Sequence, residues 1–507
     1  MKSDFFKFIK SNFKIFDIKN TKKESCMIID RGRPMSIFSN SMAMRIINQR
    51  FRFKPIIFSH NRRTSWQIKM YSAFGKFIFI NPKNKKSFLN FNLLAISLIK
   101  TIINFFRYYK NFNKFINFFK LDEVEIGHCI YDEYIKFNHR YKERNIYNLN
   151  FFYFLLGKIY LFYKMKKILE VKNVKILICN SLDYATYAAL AARIAVKNNI
   201  KVFVADDQFK IFTNQKDINN SVFQLDKKNV KKFFLNRKKI NFDDYFKKRF
   251  KGLIDTTLTS AFDLKLGNKN KIDIDKKNFL KKYIKNDEYE YVALIAPHAF
   301  TDAVHGFGKN FIFDDYYQQL EETIKYLYHG KRKNILWLIK PHPRSGHYKE
   351  NGIAEKLVRK YKRKNIILLN KKISTFSAIQ FSDIVITGRG SIGLEAASLG
   401  TKVIIAGYAI YQNLGFTIEP KNKQEYFREL ENIKNFTKLD TKKAQIAKKY
   451  LFYFDNYRSL LPKNKMNEID EESKDFFKIL EKYMKKKKYL SDKYYIFLDE
   501  FLKKIKH

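Results

Sequence analysis

Short apolar runs that stop at turn residues and alternate with helical stretches constrain this chain most. Asn173 to Cys179 (NVKILIC) reads as a strand, Leu182 to Asn198 as an alanine-rich helix, and Ile200 to Ala205 (IKVFVA) as a second strand stopped at Asp206-Asp207. The pattern returns at Tyr291 to Ala296 (YVALIA), Ile335 to Ile339 (ILWLI), Asn365 to Leu369 (NIILL), Asp383 to Thr387 (DIVIT) and Lys402 to Ala406 (KVIIA). Helical stretches are predicted between them over Asp314 to Tyr328, Ser377 to Phe381 and Ser391 to Leu399. Strand, helix and strand at this spacing is the βαβ unit of a parallel sheet, so the fold class is α/β. No internal repeat is visible.

At 507 residues, and about 150 residues per domain, the chain holds roughly three units or two large ones. The boundaries fall at 1–120 (helix-rich, one short strand near Lys76 to Ile80, role open), 121–285 (α/β), 286–420 (α/β) and 421–507 (a helical, lysine-rich tail). A 46% hydrophobic and 17% aromatic content gives ample core material and excludes a disordered charged chain. Three isolated cysteines build neither a disulfide scaffold nor a zinc module, which fits a reducing cytoplasm.

The formal charge is +51. It suits an anionic partner, either nucleic acid or an anionic membrane or glycan, and equally a composition-wide lysine bias. Phe91 to Phe106 and Leu149 to Tyr163 are apolar, but Lys100 and Lys158 interrupt them, so both read as buried or interfacial helices rather than spans. The first residues, MKSDFFKFIKSNFKIF, fit a terminal helix or a membrane-surface one, and no signal-peptide core is visible.

Four strand-end motifs carry polar chemistry. The first is Thr387-Gly-Arg-Gly-Ser-Ile-Gly-Leu-Glu395, a strand running through a glycine turn into a helix. Gly388 and Gly390 permit close approach or unusual backbone angles, while Ser391, Arg389 and the helix N–H groups suit phosphate oxygens. Glu395 is placed to accept from ribose or sugar hydroxyls. Ser391 also suits an ordinary helix cap. Neither a Walker loop nor a full dinucleotide fingerprint is present.

The second is Lys340-Pro-His-Pro-Arg344, where Pro341 and Pro343 stiffen a loop presenting Lys340, His342 and Arg344 to a diphosphate. The third holds His298, Asp302 and His305, with Asp302 or His298 as a base and His305 beside the donor. The fourth is Gly127-His-Cys-Ile-Tyr-Asp132-Glu133, whose acids could deprotonate an acceptor hydroxyl or simply favour a helix start. Ser181 and Asp183 follow a strand end as well. No metal-ligand spacing and no nucleophile elbow is found, so no metal and no cofactor is expected.

WLIKPHP at 337–343 and SDIVITGRGSIGLEAASLGTKVIIAGYAIYQNLGF at 382–416 resemble the capsule polysaccharide biosynthesis family, which includes Kdo-transferring enzymes. Further likeness lies in HAFTDAVHG, in 313–327, in 126–137 and in 180–205, so that it spans roughly 120–420. The resemblance implies a GT-B fold, two Rossmann-type α/β domains facing a cleft. On that scheme 121–285 is the acceptor side and 286–420 the nucleotide-donor domain. It also implies His342 on the donor phosphates, Gly390 with Ser391 as the phosphate turn, and Glu395 near the ribose. The donor would be cytidine-nucleotide-activated and the acceptor a lipid-linked or growing surface polysaccharide, at the inner face of the cytoplasmic membrane. Arg389 in the turn departs from the family pattern and bears on donor preference. A similar His-Pro loop and Ser-bearing turn occur in polyol-phosphate transferases that use CDP-linked donors, and that alternative stays open. A nucleic-acid binder is the remote one, because most Tyr and Phe fall within apolar strands and helices.

Overall fold

The computed structural model describes residues 7, 22–30, 34–59, 65–80, 91–109, 111–139, 141, 145–180, 182, 186–204, 210–219, 227, 230–231, 234, 241–250, 271–284, 289–306, 311–330, 334–435 and 438–457. Ser181, Asp183, the first 16 residues apart from Lys7, and the tail beyond 457 lie outside them. The chain divides into two compact units. One comprises 1–134, 144–221 and 458–507, the other 135–143 and 222–457.

The first unit is built on strands β1 (Ser25–Asp30), β2 (Lys54–Ser59), β3 (Ile78–Ile80), a small β4–β5 ribbon (Lys120–Leu121 and Val124–Glu125), β6 (Val174–Cys179), β7 (Lys201–Val204) and β8 (Lys210–Phe212). Its main sheet has the order β3-β2-β1-β6-β7-β8, parallel except for β8. The strands at 174–179 and 201–204 and the helix Tyr187–Lys197 match the sequence reading. Residues 1–120 hold more than was read from them. Three parallel strands of the sheet arise there, with helix Pro34–Phe51 crossing between β1 and β2. SCMIID and KPIIFS are buried runs of six residues like the strands read elsewhere, but they lie in a Phe-, Lys- and Asn-dense region, and Pro55 sits within the second.

The second unit holds β9 (Tyr291–Ala296), β10 (Ile335–Ile339), β11 (Ile366–Leu368), β12 (Ile384–Thr387) and β13 (Lys402–Ile405), all parallel, in the order β11-β10-β9-β12-β13. Helices Tyr316–His329, Ile353–Lys360, Thr375–Gln380 and Ile392–Ser398 make the crossovers. Asp315 starts the first of them by accepting from Gln318 N at 2.6 Å. Val292, Leu294, Leu336, Leu338, Val385 and Val403 form the sheet's share of a core that helix residues Leu394, Leu451 and Phe454 complete. The part of the tail that is described, Lys423–Glu431 and Thr441–Tyr457, is helical as expected and belongs to this unit. Both sheets make the fold α/β with parallel strands, as the sequence predicts.

The strand order of the second unit fixes where a ligand is bound in such sheets. From β9 the chain moves outward to β10 and β11, then returns to β9's other side for β12 and β13. The reversal point lies between β9 and β12, and loops at the carboxyl ends there surround a crevice. Thr387 Oγ1 donates to Ala296 O at 2.9 Å and ties those two strand ends together.

Candidate anion-binding site at the strand ends

Three of the motifs follow β9, β10 and β12, and a row of stacked groups connects them. The His298 ring stacks on Tyr316 at 4.5 Å and on His342 at 5.6 Å, nearly parallel to both. The Arg389 guanidinium lies 5.5 Å from the Tyr316 ring and 5.5 Å from the Phe311 ring. Arg389 Nη2 also donates to Val304 O at 3.0 Å. Burial holds the His298 pKa below its ordinary value; Asp302 opposes the shift and Arg389 reinforces it. His298 is therefore a neutral imidazole at neutral pH, able to accept a proton.

The β10 loop opens into a cavity of about 540 Å³, lined by Lys271, Lys340, His342, Arg344, His347 and Lys371 among others. Asn351, Ser345 and Thr375 add neutral polar groups, and no carboxylate lines the wall. Burial, reinforced by Lys271, pulls the Lys340 pKa down to about 8. Lys340 Nζ donates to Ile373 O at 3.1 Å, which fixes the ammonium at the wall. The Arg344 backbone N–H donates to His342 Nδ1 at 3.2 Å. That bond makes Nδ1 the acceptor, so a neutral His342 carries its proton on Nε2, where it can donate to an anion. Cations outnumber anions here, with Lys371 paired to Glu355 at 3.2 Å, and a phosphate would relieve the Lys271–Lys340 repulsion.

Buried fasteners hold the loops. Glu350 is buried, and its carboxylate accepts from Phe300 N, Thr301 N and Thr301 Oγ1, each at 2.9 Å. It thereby joins the His298 loop to the His342 loop. Tyr411 OH donates to Gly390 O at 2.6 Å and braces the glycine turn.

The glycine turn works by close approach rather than by unusual backbone angles. Gly388 and Gly390 are absent from the positive-φ residues, among which Gly352, Gly400 and Gly415 appear. A Cβ on Gly388 would meet Gln319 Oε1 at 3.0 Å, and one on Gly393 would meet the Tyr411 hydroxyl at 2.1 Å. Ser391 stands at the N-cap position the sequence also allowed, with helical angles, but its side chain makes no capping hydrogen bond. Gly388, Gly390 and Ser391 do not line the cavity; Arg389 reaches the histidine stack through Tyr316.

The remaining residues are held elsewhere. Glu395 lies in a buried ion cluster, accepting from Arg249 Nη2 at 3.1 Å, while Arg249 Nε donates to Asp455 at 2.6 Å. Burial opposes the Arg249 charge, but the two carboxylates more than offset it and hold its pKa above the ordinary value. His305 Nε2 donates to Asp314 O at 2.9 Å. Asp302 pairs with Lys136 at 3.8 Å and accepts from the Tyr348 hydroxyl, which raises the Tyr348 pKa after burial has done so. Asp132 and Glu133 belong to the first unit, inside helix Gly127–Phe137 rather than in its first turn. Both are buried, and Glu133 pairs with Lys158 at 2.6 Å. Sequence reading missed Lys271, Lys371, Glu350, Tyr316, Tyr411 and Gly393. Only Gly393 carried a signal, as the third glycine of its turn. No group of three or more His, Cys, Asp or Glu able to hold a metal is found among the described residues.

Residues 221–453 match the family described as capsule polysaccharide biosynthesis protein. The matched span nearly coincides with the second unit and contains the motifs at 337–343 and 382–416; the likeness read at 126–137 and 180–205 falls outside it. No curated protein matches the chain. Solved structures with a similar chain include a beta Kdo 2,4 transferase, KpsC, of Thermosulfurimonas dismutans, at 13% identity over 54% of this chain and 79% of that one, with a TM-score of 0.31. A glycosyltransferase of Rickettsia africae matches at 12% identity over 96% and 100%, with a TM-score of 0.30. The UDP-GlcNAc 2-epimerase of Neisseria meningitidis, bound to UDP-GlcNAc, matches at 12% identity over 84% and 95%, with a TM-score of 0.24.

Proposed function

We propose that this chain, whose residues 221–453 match the capsule polysaccharide biosynthesis family, is a glycosyltransferase that moves a sugar from a nucleotide-activated donor to a capsular or other cell-surface polysaccharide. The observation that carries the reading is the cationic cavity at the carboxyl ends of β10 and β11, with Lys271, Lys340, Arg344 and Lys371 in its wall and no carboxylate among its described lining residues. A nucleoside phosphate leaving group needs that environment, because negative charge grows on the phosphate oxygen as the glycosidic bond breaks.

Within this reading His342 Nε2–H and the Lys340 ammonium hold the donor phosphates, and Arg344 neutralises them from the rim. The N–H groups and hydroxyl at Ser391 add further donors. His298, neutral and stacked on His342, accepts the acceptor's proton or orients the group that does; Asp302 is the alternative base. Asp132 and Glu133 serve as base only if the buried Glu133–Lys158 pair opens. Gly388, Gly390 and Arg389 shape the turn, and Glu395 and His305 keep it and its neighbouring loop in place. The donor is cytidine-linked, with a Kdo-like sugar as the first candidate, and the acceptor is lipid-linked or polysaccharide at an anionic membrane surface. The first unit would hold the acceptor. A polyol-phosphate transferase using a CDP-linked donor would employ the same cavity, and donor chemistry separates the two.

The test is turnover with CMP-, CDP- and UDP-linked donors. His342→Ala and Ser391→Ala are expected to lose most of it. Full turnover by both variants with an identified donor would end the proposal.

A further inference from the structure

The helix Phe91–Arg107 in the first unit is built inside out. A surface helix of a water-soluble protein turns its apolar stripe inward. Here the buried residues are Ser97, Thr101 and Asn104. Their side chains bond back to the helix, Ser97 Oγ to Leu93 O at 2.6 Å, Thr101 Oγ1 to Ser97 O at 2.6 Å and Asn104 Nδ2 to Lys100 O at 2.7 Å. Small, internally satisfied polar groups allow close approach to the neighbouring helix Leu149–Val171, as in helices packed within lipid.

The outer face is apolar. Phe91, Leu98, Ile99, Ile102, Ile103 and Phe106 are exposed, with Phe91 at 79%, Ile99 at 58% and Phe106 at 61%. At 100° per residue they form one broad stripe along about 25 Å of helix. On the neighbouring helix, which packs against this one, Leu149 and Tyr153 are 71% and 67% exposed. Tyr147, exposed as well, stacks on Phe105 at 4.9 Å and packs edge-on against Tyr109 at 4.5 Å. Tyrosines are favoured at the boundary between headgroups and acyl chains.

Charge identifies what covers the patch. From Phe91 to Lys120 the sequence has five Lys or Arg and no Asp or Glu. Lys100 and Arg107 sit at the edge of the apolar stripe and both are exposed. A second copy of this face would set the same cations against themselves, whereas an anionic lipid surface complements them. No helix among the described residues is long and apolar enough to cross a membrane.

We infer that the outer face of helix Phe91–Arg107, with Leu149 and Tyr153, is a docking surface that lies in the plane of an anionic lipid bilayer, its apolar side chains among the acyl chains and its cations at the headgroups. This assigns a surface to the membrane partner in the function proposed above and rests on that reading for its purpose, though not for its test. The experiment is co-sedimentation of the full chain with phosphatidylcholine vesicles, with and without phosphatidylglycerol. The wild type binds the anionic vesicles, and the triple variant Ile99→Ser, Ile103→Ser, Phe106→Ser loses about tenfold or more of that binding with unchanged circular dichroism. Hydrogen exchange on the wild type, which needs no variant to fold, shows protection of 91–107 when phosphatidylglycerol vesicles are added. Three results overturn the inference: a triple variant that sediments like the wild type, a wild type that ignores anionic vesicles or gains no protection at 91–107, or a wild-type dimer that the triple variant dissolves into monomers. Donor binding in solution, equal in wild type and triple variant, reports separately on the catalytic reading.

Discussion

Glu350→Ala separates a braced site from an ordinary surface loop. Glu350 is 4% exposed and takes three hydrogen bonds, from Phe300 N, Thr301 N and Thr301 Oγ1. Phe300 and Thr301 are themselves buried, so truncation leaves two backbone N–H groups without their acceptor. Each orphaned buried donor costs about 1–3 kcal/mol, and water entering the space of the lost side chain recovers part of it, so the second unit is expected to lose about 2–5 kcal/mol. Glu350→Gln is a finer probe. Its amide keeps one acceptor oxygen but turns an NH2 toward one of the donors, at a cost of about 1–3 kcal/mol. Because the carboxylate joins the His298 and His342 loops, donor affinity is expected to fall about tenfold, the equivalent of about 1.4 kcal/mol. Burial holds the Glu350 carboxyl above the usual carboxylate range despite those bonds. A raised carboxyl pKa means the folded state keeps its proton longer than the unfolded state. The stability Glu350 contributes is thus greatest below the ordinary Glu pKa and declines as pH rises through the raised value. Urea unfolding across mildly acidic pH reads the stability gap to Glu350→Ala, which narrows with rising pH; calorimetric titration with donor reads the affinity. An Ala variant within about 0.5 kcal/mol of wild type, with unchanged donor affinity, would refute the reasoning.

Phosphate or donor affinity is expected to fall up to about tenfold per pH unit above pH 8, as Lys340, whose pKa is about 8, loses the proton an anion needs; calorimetry in buffers of different ionisation enthalpy will show proton uptake on binding. The same depressed lysine pKa makes its folded-state penalty largest below about 8 and relieves it as pH rises from there toward the unfolded value. Gly393→Ala puts a Cβ 2.1 Å from the Tyr411 hydroxyl, so about 1–3 kcal/mol of stability is lost, and Tyr411→Phe in the same chain restores part of it in a double-mutant cycle. Arg249→Ala leaves Glu395 and Asp455 buried without their cation and is expected to cost about 3–5 kcal/mol in urea unfolding.

Sheet strands were the most legible part of the fold. YVALIA and ILWLI are continuous apolar runs bounded by turn residues, and the structure begins and ends them where the sequence does. SCMIID and KPIIFS have the same burial but lie in a Phe-, Lys- and Asn-dense region, and Pro55 argues against a strand. Pro55 fits because it opens the strand beside Lys54. Motif positions at strand ends were legible too, since parallel sheets present their loops on one side. Which partners those residues take was not. Glu395 reads as a turn residue near a ligand, yet its partner Arg249 is 146 residues away. Glu350 is a lone acid in a polar loop, and only folding shows it facing Phe300 and Thr301. The inverted helix Phe91–Arg107 was visible as an apolar run, but which face it turns outward depends on packing against Leu149–Val171.

The central claim is that the Lys340–His342–Arg344 cavity holds the phosphates of a cytidine-linked donor. Calorimetric titration of the full chain with CMP-, CDP- and UDP-linked donors tests it, in parallel with Lys340→Met and His342→Ala. A cytidine-linked donor is expected to bind the wild type and to weaken at least about tenfold, or about 1.4 kcal/mol, in each variant. A donor that binds wild type and both variants alike, or a chain that binds none of them, would contradict it.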